Sequence, residues 1–166
     1  MKIDKLFNGL KHIANGDYVL EGDLISEETI EIDLDDRFVV KGRIESKKSI
    51  IIRCGIEAGL GIKAGEGIEA GWGIKAGEGI EAGWGIEAGL GIKAGLGIEA
   101  GWGIEAGWGI EAGAFILVKK RIFAGISIYR TSKDCDKTIR CTELRDGEIC
   151  YGDLILTGSE GKKDED

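Results

Sequence analysis

Between Gly55 and Ala114 one six-residue unit recurs ten times without an insertion. It runs Gly-Ile-Glu-Ala-Gly-Leu, Gly-Ile-Lys-Ala-Gly-Glu, Gly-Ile-Glu-Ala-Gly-Trp, and on to Gly109-Ile110-Glu111-Ala112-Gly113-Ala114. Only the charged third position and the sixth position vary. Six is a multiple of two and not of 3.6, so the apolar residues hold one face only in an extended chain. Isoleucine and alanine then point inward together, and the Glu or Lys between them points to water. Two glycines per unit weaken a helix and suit tight corners that need positive φ. One hexapeptide cannot bury its own isoleucine. Coils stacked about 4.8 Å apart bury a continuous column and pair the backbone, which makes the fold a β-solenoid.

Two units per coil give a flattened twelve-residue turn, and three give an eighteen-residue triangular one. Residues 61–72 and 73–84 are identical blocks, while 67–84 and 85–102 differ at two positions. Facing strands of a two-sided coil set each Ile against an Ala, large against small, which fills a thin core without voids. The expectation is therefore the twelve-residue coil.

The expected organisation is a single all-β domain with five segments. Ile3, Leu6, Phe7, Leu10 and Ile13 recur at helical spacing before Asn15-Gly16, which predicts a short capping helix over residues 1–16. Residues 17–54 read as irregular β coils, with Ile30, Ile32 and Leu34 alternating with Glu31 and Asp33. The array occupies 55–114. Residues 115–157 form an irregular β C-terminal cap, in which Asp146-Gly147 reads as a two-residue hairpin turn. The tail 158–166 is Gly, Ser and charge, and is expected to be disordered. Ile139–Leu144 and Ile149–Leu156 would be the hairpin strands, placing Cys141 and Cys150 diagonally on one face.

The flanks carry glycine-punctuated rungs: Leu20-Glu21-Gly22-Asp23-Leu24, Val40-Lys41-Gly42-Arg43-Ile44 and the run Ile50-Ile51-Ile52. In these rungs the chain resembles the bactofilins, bacterial cytoskeletal β-solenoids that polymerise end to end. The resemblance covers about a third of the chain and implies a structural, self-associating role. The Gly-Ile-x-Ala-Gly array resembles bacterial and phage-type hexapeptide-repeat proteins, which implies the solenoid and no activity. Hexapeptide acyltransferases place a small residue two positions before the aliphatic one. Here Ala58 follows Ile56, and the chain's one histidine, His12, lies outside the array.

Composition narrows the function further. The net charge is −8, and nine Glu against three Lys put −6 of it on residues 55–114. Such a surface repels phosphate backbones, so no nucleic-acid partner is expected. No apolar run is long enough to span a bilayer and no export signal is read, so a cytoplasmic protein with reduced cysteines is expected. Cys135, Cys141 and Cys150 match no zinc spacing, and the array has no Asp for a calcium loop, so neither metal nor cofactor is expected. The array also has no Ser, Thr, His, Cys, Asn or Tyr, so no catalytic residue is assigned and the chain is read as a non-enzyme.

On the twelve-residue coil, Leu60, Trp72, Trp84, Leu96 and Trp108 line one exposed edge. That ridge is the candidate interaction site. It would serve a second copy of the chain, giving a dimer or polymer, or, in a binding module, a polysaccharide or protein partner. The alternative is that the indoles fold back and pack.

Overall fold

The computed structural model describes residues 1–126 and 136–157. The disorder expected over 158–166 and the residue Cys135 lie outside the described residues. The chain winds as a parallel β-solenoid of about seven turns, and no described segment is helical. Each hexapeptide contributes one three-residue strand whose Ile and Ala are buried and whose third-position charge faces out. This alternation is the one the period-two pattern predicts.

The coil has eighteen residues, not twelve. Ile62 pairs with Ile80, Ile68 with Ile86, and Ile74 with Ile92, each time in register with the strand three units away. Three faces result. The first stacks Leu24–Ser26, Ile44–Ser46, Ile62–Ala64, Ile80–Ala82 and Ile98–Ala100. The second stacks Lys2–Ile3, Ile30–Ile32, Ile50–Ile52, Ile68–Ala70, Ile86–Ala88 and Gly103–Ala106. The third begins at Tyr18–Leu20 and continues through Phe38–Val40, Ile56–Ala58, Ile74–Ala76, Ile92–Ala94 and Ile110–Ala112 to Thr138–Cys141 and Asp153–Leu156. Phe115–Ala124 rounds a corner without a break and so joins the first two faces into one sheet.

The flanks show why three sides win. Ile50 and Ile52 stack directly under Ile68 and Ala70, and Phe38 and Val40 under Ile56 and Ala58. These rungs carry a large residue at both inward positions, and all four are buried. A thin two-layer core has no room for large against large, whereas a three-sided prism does. The large-against-small argument for the flat coil read the array without its neighbours. The first coils are also longer: Tyr18 pairs with Phe38 and Ile30 with Ile50, twenty residues on. The two extra residues lie between Ile32 and Phe38, where Leu34 is buried in the core.

The expected capping helix over residues 1–16 is absent. Lys2–Ile3 instead adds to the second face, and Leu10–His12 runs antiparallel to Tyr18–Leu20. Gly9 and Gly16, at φ 87° and 96°, turn the chain where a helix would have to continue. Of the five apolar residues that suggested a helix, only Ile3 is fully buried, and Leu6 is 92 % exposed. Phe7 and Leu10 do pack on the end of the core, so a hairpin and a turn cover the end instead.

The C-terminal hairpin is likewise absent. Asp146-Gly147 lies inside Glu143–Tyr151, a strand parallel to Phe115–Ala124. Thr138–Cys141 and Asp153–Leu156 are parallel neighbours on the third face. The Asp-Gly pair serves a register shift as the strand rounds a corner, with Gly147 at φ 120°. Cys141 therefore faces the core of the third face, while Cys150 is exposed in the strand stacked on Phe115–Ala124. Both are free thiols, as is buried Cys54.

None of the array glycines has positive φ. The fifth position needs glycine for a different reason. A Cβ on Gly83 would fall inside the contact radius of the Gly65 carbonyl oxygen one coil below, and every fifth-position glycine of the array is in the same situation. A Cβ on first-position Gly85 would stand 3.5 Å from the Gly103 oxygen, an ordinary contact.

Candidate grooves and corner columns

The sixth-position residue of each unit occupies a corner, and its backbone bonds to the corner one coil below. Trp102 N donates to Trp84 O at 2.8 Å, and Trp84 N to Glu66 O at 3.0 Å. Three corner columns result. Between the third and first faces stand Leu60, Glu78, Leu96 and Ala114. Between the first and second stand Glu66, Trp84 and Trp102. Between the second and third stand Trp72, Leu90 and Trp108.

The sequence-derived ridge is thus divided among all three edges. Leu60 and Leu96 share one, Trp72 and Trp108 another, and Trp84 lies on the third beside Trp102. The ridge rested on twelve-residue register, and eighteen-residue register takes it apart. Leu60, Trp72, Trp84 and Leu96 are nonetheless exposed, as the corner placement requires.

Six of the corner residues border a groove on the face that follows them: Trp84 and Trp102 on the second, Leu60, Glu78 and Leu96 on the first, and Trp108 on the third. The groove on the second face encloses about 740 Å³. Trp84 and Trp102, 55 % and 61 % exposed, form one wall. Gly67, Gly85 and Gly103 leave the floor open beside that wall, and Glu69, Glu87 and Glu105 stand along the other side. Ile51 and Phe123 stand below and above in the same outward column. The Lys120 ammonium lies 4.7 Å from the Trp102 ring centroid, at the C-terminal end. A groove of about 440 Å³ on the first face runs past Leu60, Glu78 and Leu96, and a smaller one on the third face is bordered by Trp108.

Outward charge differs sharply among the faces. The first-face column is Lys63, Glu81, Glu99, with Lys63 Nζ donating to Glu81 at 2.9 Å. The third-face column is Glu57, Lys75, Lys93, Glu111, where Lys75 bonds Glu57 at 2.9 Å and Lys93 bonds Glu111 at 2.8 Å. All three array lysines lie on these two faces. The second-face column is Glu69, Glu87, Glu105, and none of its carboxylates has an ion pair among the described residues. Burial, then the neighbouring Glu105 and Glu69, hold the Glu87 carboxyl above its ordinary value. Reading the third position of every third unit finds this run in the sequence; reading every second unit hides it.

Elsewhere the chemistry is quiet. Burial pushes the Cys54 thiol up to about 11 and raises Cys141 as well, which disfavours thiolate at either. No group of three or more His, Cys, Asp and Glu side chains among the described residues is arranged to hold a metal ion. No described helix is long and apolar enough to cross a membrane. Compared with protein-family models, curated proteins and solved structures, the chain matches none of them.

Proposed function

We propose that the chain is a non-enzymatic structural solenoid that associates with itself through its C-terminal coil. The supporting observation is the contrast between the two ends. At the N-terminal end Ile3 is buried and Phe7 and Leu10 pack over the core. At the C-terminal end the last described strand, Asp153–Leu156, is exposed at every residue. Leu154 stacks on buried Ile139 and therefore points inward, yet it is 39 % exposed, and Tyr151 is 49 % exposed. Leu144 and Ile149 are only partly buried against the same end of the core. Among the described residues this partly exposed apolar rung is a surface suited to receive another rung.

Because only one end is bare among the described residues, the closed arrangement is two copies joined C-terminal coil to C-terminal coil about a two-fold axis. One self-complementary patch then buries both copies, where head-to-tail stacking would need a second bare end. Burial at roughly 25 cal/mol per Å² stabilises such a pair only after the association entropy is met, so a concentration-dependent dimer is expected.

Sedimentation velocity tests this reading. The wild-type chain is expected to sediment as a dimer that dissociates on dilution. Tyr151→Lys with Leu154→Lys is expected to be monomeric with an unchanged array, read from its melting curve. A wild type that stays monomeric at every concentration contradicts the proposal, as does a double variant that remains dimeric.

A further inference from the structure

We propose that the groove on the second face binds a linear alkyl polyamine along the column of Glu69, Glu87 and Glu105. Three features of the groove converge on that class of ligand. The first is charge: it is the one array face on which successive outward residues are all carboxylates, with no described cation paired to them. The second is spacing. Stacked strands set these carboxylates about 4.8 Å apart, so the column spans about 10 Å from first to last. Two ammonium groups joined by three methylenes lie about 5 Å apart when extended. A triamine therefore reaches from Glu69 to Glu105 with one nitrogen near each carboxylate. An extended peptide repeats its same-side residues at nearly 7 Å and falls out of step after one coil.

The third feature is the wall. Trp84 and Trp102 line the groove beside the column and offer exposed indole surface, suited to the methylenes between the charges and to cation–π contact. The groove itself already holds such a contact: Lys120 places its ammonium over Trp102. Lys120 and Arg121 also line the C-terminal end of the groove, so a polycation is confined to the stretch between Ile51 and Glu105. At Glu87, the middle carboxylate, burial and both neighbours disfavour the ionised form, so a counter-charge placed there relieves it.

Isothermal titration of the full chain with spermidine, at fixed ionic strength, is the test. Saturable one-to-one binding is expected. Glu87→Gln should weaken it at least tenfold, and Trp84→Leu, which installs a residue already present at Leu60 and Leu96, several-fold. Glu81→Gln on the first face removes the same charge from the same net total and should change the affinity less than twofold. Each variant is checked for a single cooperative melting transition, so that a loss of binding is not a loss of fold. Absent saturable binding, or equal losses from Glu87→Gln and Glu81→Gln, would overturn the proposal, because the attraction would then belong to the acidic surface as a whole. Displacement of spermidine by an equal concentration of magnesium ion would also overturn it, since charge alone would then suffice.

Discussion

The first face stacks Lys63, Glu81 and Glu99, with Lys63 bonded to Glu81, whereas the second stacks Glu69, Glu87 and Glu105 with no such partner among the described residues. Inside, the two faces match: Ile80 and Ile86 are equally buried, and Ala82 and Ala88 pack alike. One hexapeptide therefore specifies two walls that are the same to the core and different to solvent. The inward positions answer to packing, which repeats every six residues. The outward positions answer to the coil, which repeats every eighteen. Identity inside and contrast outside are separable by substitution.

The largest effects should be blind to the face. Ile80→Asp and Ile86→Asp each place an unpaired carboxylate in a dry core and should cost more than about 4 kcal/mol, or prevent folding. Chemical denaturation reads both, and a large difference between them would break the inner equivalence. A smaller effect distinguishes the two glycines of one unit boundary. Gly83→Ala drives a methyl group into the Gly65 carbonyl and should cost about 2–3 kcal/mol. Gly85→Ala meets only ordinary contacts and should change stability by less than about 1 kcal/mol.

The smallest effects should carry opposite signs on the two faces. Glu87 has a raised folded pKa, so its favourable contribution is complete below its unfolded value and is lost as pH rises through the folded one. Glu87→Gln should therefore raise the melting temperature at neutral pH, and the gain should vanish in acid. On the first face Lys63 is raised by its hydrogen bond and attraction to Glu81. Its contribution is present at neutral pH and is lost as pH rises through the folded lysine value. Glu81→Gln should accordingly lower the melting temperature slightly at neutral pH. Both changes should stay within about 1 kcal/mol, as exposed charges do. Asp17, held below its ordinary value by the Arg37 guanidinium, behaves in the third way: its contribution is present at neutral pH and is lost as pH falls.

How far the sequence foretold this follows the same division. The facing of every array residue was legible, because alternation of Ile, charge and Ala admits one inside. Coil length was not, since six divides both twelve and eighteen and the deciding large residues, Phe38, Val40 and Ile52, lie outside the array. Everything that depended on coil length went with it, including the ridge of Leu60, Trp72, Trp84, Leu96 and Trp108. The acidic column escaped notice for the same reason. At the N-terminus Leu6, Phe7 and Leu10 imitated a helix, although Gly9 and Gly16 at positive φ mark two turns. At the C-terminus Asp146-Gly147 carried a true signal for a bend but not for a chain reversal.

Coil length underlies the faces, the grooves and both proposals, and a pair of engineered cysteines measures it directly. Glu69→Cys with Glu87→Cys places two thiols on adjacent parallel strands eighteen residues apart, about 4.8 Å between backbones and within disulfide reach. Glu69→Cys with Glu81→Cys places them twelve apart, on different faces. Under mild oxidation, with bonds mapped by mass spectrometry, the 69–87 pair should close in the folded protein and the 69–81 pair should stay reduced. Closure of 69–81 with 69–87 left open would contradict the three-sided solenoid.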